Sequence, residues 1–246
     1  MNREWSALIF AMAFPTVLAW AYFVALARPT DSFPSESPAN SGNVVVQAVY
    51  SGGKVLQFTF PVLFLSFVDP RSLRPSRPHF KGLGLAIGFG LVVSAGILVL
   101  YWASLRQWLI EMGAAVRIRS KIEEFNSATP IRFLGLASFL SVAHSLLEEY
   151  YWRWFVFGRM RGLLSLPPAI AISSLAFMAH HVVILARFFP NHFWDAAVPF
   201  SLCIAVGGGF WAWLYNRCGS IYSPWLSHLM VDAAIFAIGY DLVFKV

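Results

Sequence analysis

IRFLGLASFLSVAHSLLEEYYWRWFVF, residues 131–157, decides how the whole chain is read. A helix needs about 20 predominantly apolar residues to cross a ~30 Å hydrocarbon core, and this run is long enough. Its second half nevertheless holds three ionisable side chains, Glu148, Glu149 and Arg153, among leucines and aromatics. On insertion scales a mid-span charge costs roughly 2.5–3.5 kcal/mol, while each Leu, Ile or Phe returns only about 0.3–0.6. Charges in such a place need partners or a function. Helical spacing offers partners: Glu149 and Arg153 stand at i,i+4, and so do His144 and Glu148 on an adjoining face.

The rest of the chain is of the same kind. Of its 246 residues 58% are hydrophobic and 12% charged, against about 25% charged in ordinary soluble domains. Further apolar runs occupy residues 6–27, 82–105, 166–188, 199–214 and 221–244, and a weaker one, 44–68, is interrupted by Ser51-Gly52-Gly53 and Lys54. The fold class expected is all-α, a polytopic transmembrane helix bundle of about seven to eight spans. Ala25-Leu26-Ala27 has the form of a signal-peptidase site, but the preceding apolar core exceeds the ~7–15 residues of a signal h-region, so the first helix is read as retained. Residues 29–43 read as a Pro/Ser/Asn loop. Residues 106–130, mixed in charge and broken by Gly113, read as an amphipathic surface helix or a shallow, partly inserted one. Cys203 and Cys218 lack metal-ligand spacing and read as reduced and inert. The net charge of +6 is spread over both faces, which suggests contact with anionic lipid of the bilayer and no nucleic acid.

Polar intrusions recur in later spans. His180 and His181 lie inside the 166–188 run, and His228 and Asp232 stand one turn apart in the last span. With a loop drawn at 158–162 and a turn at 217–220, a 1.5 Å rise puts Glu148, His181 and His228 roughly 15, 21 and 10 Å from one membrane face. Alternating spans then let these groups converge in one cavity. Arg71, Arg74, Arg77 and Lys81 crowd one short loop, and Arg159, Arg161 and Arg217 fall on the same side, so the positive-inside rule makes that side cytoplasmic. Arg106, Arg117, Arg119 and Lys121 occupy the opposing side, accompanied by Glu111, Glu123 and Glu124.

Glu148-Glu149-x-x-x-Arg153, then Phe177-x-x-x-His181, then His228-x-x-x-Asp232, in that order on successive spans, resemble the three motifs of the CPBP family, the CAAX prenyl proteases and bacteriocin-processing enzymes also called the abortive-infection family. The resemblance covers residues 131–238. It divides the chain into an N-terminal part, 1–130, of helices and loops without a motif match, and a C-terminal part, 131–246, carrying the catalytic core. It implies an intramembrane glutamic endopeptidase of about eight helices, needing no metal or other cofactor, acting on a membrane-associated and in some relatives lipidated protein or peptide. By resemblance Glu148 is the general base that activates water, and His181 helps hold that water. Glu149 supports the site and anchors a structural Arg153, while His228 and the residue at 232 stabilise the oxyanion. The family pattern accepts Asn or Asp at 232; an ionised Asp232 has no proton to donate, so it either carries one or orients His228. The protein is expected in the cell membrane, and the positive-inside reading makes its site open to the cytoplasm. Physical chemistry asks for the same parts: a base beside a water, and donors where negative charge develops.

Other readings use the same residues. Glu149 and Arg153 also make sense as a structural ion pair, and His144 and His180, which match no motif, as packing histidines. Gly207-Gly208-Gly209 suggests close helix packing, and the ten tryptophans read chiefly as lipid-facing or interfacial bulk. Zinc held by His181, His228 and a glutamate would make a metalloprotease, although H-E-x-x-H is absent. A membrane immunity or scaffold protein, or a proton-coupled carrier, would use the cluster without hydrolysis; the lack of an inverted repeat counts against a carrier.

The orientation is open to direct measurement. On a background lacking Cys203 and Cys218, a single cysteine in the 29–43 loop is expected to react with a membrane-impermeant maleimide on intact cells. One in the 71–81 loop is expected to be protected. The opposite pattern would turn the site toward the exterior.

Overall fold

The computed structural model describes residues 2–26, 44–70, 79 and 81–246. The 29–43 loop and Arg71, Arg74 and Arg77, which carry much of the orientation reading, lie outside the described residues, as does Ala27 of the cleavage-like triplet. Among the described residues there is no strand. Seven helices are long and apolar enough to cross a membrane: α1 (Arg3–Ala25), α2 (Val45–Val68), α3 (Leu83–Glu111), α5 (Pro130–Arg161), α6 (Leu166–Phe188), α7 (Phe193–Cys218) and α8 (Tyr222–Phe244). A shorter helix, α4 (Ala114–Glu124), follows α3. The chain is a multi-pass, all-α membrane protein.

Several boundaries differ from the sequence reading. The third span continues through Arg106 to Glu111, because Arg106 is matched in the structure and does not end the helix. The break comes at Gly113, whose φ of +73° is costly for any residue with a Cβ. The 44–68 run is one uninterrupted helix. Lys54 is accommodated there by aromatic faces one turn away on either side, its Nζ lying 5.8 Å from the Tyr50 ring centre and 5.6 Å from that of Phe58. Thr59 and Ser66 on the same helix donate to the carbonyls of Val55 and Val62, both at 2.8 Å, so their hydroxyls are satisfied without water. The loop drawn at 158–162 is helical through Arg161, and the chain turns over residues 162–165 instead. Thirteen residues, not ten, therefore separate Glu148 from the helix end.

Packing divides the chain into two units that do not follow chain order: Met1–Arg77 with Tyr151–Trp213, and Pro78–Tyr150 with Leu214–Val246. The first holds α1, α2, the second half of α5, α6 and most of α7. Gly53 lets α2 approach α1 closely, since a Cβ there would lie 2.4 Å from Leu18 Cδ1. Tyr151 donates its hydroxyl to Ala11 O at 2.7 Å. Phe155 packs edge-on against Phe60 and Phe64, with ring centres 5.8 and 6.0 Å away. At one end, Arg159 of α5 holds Glu4 of α1 and, at 3.1 Å, Asp69 just past α2. The start of α1 and the ends of α2 and α5 thus share one face of this unit, as alternating spans require.

In the second unit α3 and α8 run parallel along most of their length. Ser223 and Ser220 at the start of α8 donate to Lys81 O (2.9 Å) and His79 O (2.8 Å) before α3. Midway, Gly90 faces Met230, whose Sδ a Cβ would meet at 2.8 Å. At the far ends, Asp241 Oδ2 accepts from Tyr101 Oη at 2.6 Å and from Arg106 Nε at 2.8 Å. Arg106 also lies 5.4 Å from the Trp102 ring centre. Phe133 at the start of α5 packs among Ile122, Phe236, Tyr240 and Val243, joining α4, α5 and α8.

Asp241 therefore fastens α3 to α8 through two donors. Asp241→Asn keeps the shape but removes the charge that both donors address. It should lower stability by about 1.5–3 kcal/mol, the range for hydrogen bonds to charged groups, read as an earlier thermal unfolding in detergent. An unchanged transition would contradict this fastening role.

Candidate active site

The segment that opened the sequence reading is not a uniform α-helix. Within α5, Leu140–His144 and Glu149–Phe157 form wide π-type turns on either side of a single α-turn, Ser145–Glu148. Such turns close hydrogen bonds over five residues and recur at functional sites. Here the change of register falls between the two adjacent glutamates. Both are buried, Glu148 at 5% and Glu149 at 0% exposure.

Within the second unit these glutamates meet the last span. His228, itself 4% exposed, gives its Nδ1 to Glu149 Oε1 at 2.8 Å. A carboxylate only accepts, so Nδ1 carries the proton in this bond and the ring orientation is fixed. Its Nε2 is presented on the opposite edge, 3.7 Å from Glu148 Oε2 and 3.6 Å from Asp232 Oδ1. Both separations exceed a direct hydrogen bond and leave the three groups grouped around one small volume. Glu148 Oε1, on its other side, stands 3.4 Å from His144 Nε2, the i,i+4 neighbour expected from spacing. Asp232 is the most open acid of the group, its side chain 22% exposed. It faces the Nε2 edge of His228, while the bond that orients the ring comes from Glu149. Four of the predicted site residues, Glu148, Glu149, His228 and Asp232, are thus brought together.

Arg153, His180 and His181 belong to the first unit. His181 Nδ1 lies 3.0 Å from Phe177 O. A carbonyl only accepts, so this ring too carries its proton on Nδ1 and presents the Nε2 lone pair. His180 is buried and stacks parallel to Trp152, with ring centres 5.8 Å apart and planes 4° from parallel. Arg153, 2% exposed, sits over the faces of Phe177 and Trp211 at 4.6 and 5.1 Å and points Nη2 toward Gly208 O at 3.5 Å. The glycine triplet makes room for this arrangement: a Cβ on Gly208 would meet Phe177 Cδ1 at 3.1 Å and Arg153 Nη2 at 3.5 Å. The Phe177 of the second motif therefore has two tasks, fixing His181 through its carbonyl and Arg153 through its ring.

Two features escaped the sequence reading. The aromatic seat of Arg153 had a visible signal, since guanidinium groups in apolar surroundings are stabilised by ring faces. The Glu149–His228 bond spans 79 residues of chain, and spacing within one helix says nothing about it.

Residues 130–234, under half of the chain, match the family model described as Rce1-like: Type II CAAX prenyl endopeptidase Rce1-like. The matched segment holds all three motifs and supports membership of the CPBP family and a protease role. No curated protein and no solved structure matches the chain.

The buried guanidinium of Arg153 contributes its two ring contacts to the packing of the first unit. Arg153→Ala should lower stability by about 2 kcal/mol or more, as loss of cation–π contacts made away from water does. Arg153→Lys should recover only part of this, because an ammonium lacks the planar face that stacks. Thermal unfolding of both variants in detergent is the measurement; an alanine variant that melts with the wild type would contradict the assignment.

Proposed function

We propose, from the premise that this chain is a CPBP-family, Rce1-like membrane protein, that it is an intramembrane glutamic endopeptidase. Its substrate is a membrane-associated protein or peptide reached from the cytoplasmic side. The observation that carries the reading is a buried carboxylate, Glu148, held beside a histidine whose far nitrogen is anchored by a second buried carboxylate, Glu149. A purely structural ion pair needs one acid and one base, and it has no use for a further acid on the open edge of the ring.

In the proposed cycle Glu148 takes a proton from water as the water oxygen adds to the scissile carbonyl carbon. His181, with its proton on Nδ1 toward Phe177 O, offers the Nε2 lone pair that helps hold this water. Negative charge grows on the carbonyl oxygen. His228 with both nitrogens protonated donates to that oxyanion from Nε2, and the carboxylate of Glu149 at Nδ1 compensates the imidazolium charge. Glu148 then delivers its proton to the departing amine as the C–N bond breaks, so the base is regenerated. Asp232, protonated, is a second donor to the oxyanion; ionised, it holds His228 doubly protonated. Arg153, held in its aromatic seat on Phe177 and Trp211, has a structural role. The burial of both glutamates keeps bulk solvent, which would screen these charges, away from them.

The test is a cleavage assay in liposomes against peptides with and without a lipidated C-terminal cysteine. Glu148→Gln and His181→Ala are each expected to reduce turnover ~10²–10⁴-fold, the usual loss of general-base action, while leaving thermal unfolding close to wild type. Near-normal turnover in either variant would remove the glutamate mechanism. Exhaustive chelation is expected to leave the rate unchanged; activity lost on chelation and restored by zinc would replace this reading with a metalloprotease.

A further inference from the structure

Within the second unit α5 meets α8 at two separated places. The ring of Phe133 is centred 6.4 and 5.9 Å from those of Phe236 and Tyr240, and Glu149 holds His228. A regular α-helix turns about 100° per residue, so the 16 positions from Phe133 to Glu149 would set the two about 160° apart, on opposite sides of the helix. One extra residue taken up by a wide turn reduces the angle to about 60°. Leu140–His144 is such a turn and lies between them. It is what lets one helix present both groups to the same neighbour.

The turn has a cost in backbone hydrogen bonds. Ser145 N–H reaches back to Leu140 O, and Glu149 N–H to Ser145 O. Between these bonds the N–H groups of Leu146, Leu147 and Glu148 face the carbonyls of Ser141, Val142, Ala143 and His144, so one carbonyl is left over. Val142 is 46% exposed, and in a bilayer that exposure is to lipid, which donates nothing to a carbonyl. Side chains supply the donors instead. Ser145 Oγ donates to Ser141 O, and Trp225 Nε1 of α8 donates to Val142 O at 2.9 Å. Trp225 stands one turn before His228, so both reach α5 from the same side of α8.

We propose that Trp225 is a positioning residue for Glu148: its indole N–H latches the wide turn of α5, and the turn keeps Glu148 beside the Nε2 edge of His228. Without this donor the turn is better satisfied as regular helix, which rotates the segment carrying both glutamates by about 100° relative to Phe133. The effect on turnover rests on the peptidase reading, whereas the latch stands on geometry alone.

Two replacements in the full-length protein test this. Trp225→Phe keeps an aromatic ring and removes the N–H, and exchanging the Trp225 indole for benzothiophene, with sulfur in place of N–H, keeps the shape as well. In the liposome cleavage assay each is expected to lower kcat about tenfold, the rate equivalent of one hydrogen bond, with KM within about twofold of wild type, because Trp225 holds backbone and not substrate. Hydrogen–deuterium exchange read by mass spectrometry is expected to quicken about tenfold in peptides covering residues 140–149 and to keep its wild-type rate in α1 and α6. If Trp225→Phe does not fold, the benzothiophene protein carries both readouts. Unchanged exchange over 140–149, or exchange quickened equally in every helix, would overturn the latch. Quickened exchange confined to 140–149 with unchanged kcat would overturn the positioning role. A wild type that cleaves no peptide would remove the peptidase reading, and the exchange result would still decide the latch.

Discussion

The bond between Glu149 Oε1 and His228 Nδ1, 2.8 Å long and wholly enclosed, governs the second unit. A carboxylate at 0% exposure in an apolar span is tolerable only if its charge is answered at close range. The answer comes from a helix 79 residues further along the chain. Once α5 and α8 are tied there, much else in the unit has one place to go. His228 presents its Nε2 edge to Glu148 and Asp232, and Trp225, one turn earlier on α8, donates to Val142 O of α5 at 2.9 Å. The parallel packing of α3 on α8, fastened at both ends, makes the platform on which this bond is held.

A second constraint operates in the first unit, where Arg153 has no water to solvate it. Two ring faces and a carbonyl take that role, and they leave at Gly208 a site where a methyl group would crowd Phe177 at 3.1 Å. Burial of a guanidinium thus explains a glycine, an aromatic of the second motif and a tryptophan together. The same economy appears at the membrane-end contacts. Arg159 answers two acids, one on α1 and one just past α2, and Asp241 two donors from one helix. Arg159 and Asp241 thus serve as joints between helices, while Glu148, Glu149 and Asp232 are members of the candidate site.

Much of this was legible beforehand because of the periodicity and cost of burying groups in lipid. Spans of about 20 apolar residues are a composition property, so their number and most of their cores could be read directly, including α2 despite its interruption by Lys54. The i,i+4 approach of His144 to Glu148 is local helix geometry. Helix ends were harder. Arg106 reads as the end of a span because its partner Asp241 lies at the far end of the chain, and residues 158–161 read as a loop because Glu4 and Asp69, which hold Arg159, are distant in sequence.

The sequence by itself determined that the chain is an all-helical membrane protein and that ionisable residues are concentrated where they need a reason. It determined the motif order that supports the CPBP family as well, because hydrophobic span length and side-chain chemistry are carried by local stretches. Only the tertiary structure decided which acid holds which base. The change of register at the wide turn falls between Glu148 and Glu149, and the packing of α8 on α5 selects Glu149, not Asp232, as the group that orients His228. Such choices depend on distances between helices distant in sequence, and a pattern of spacings along one helix carries no information about them.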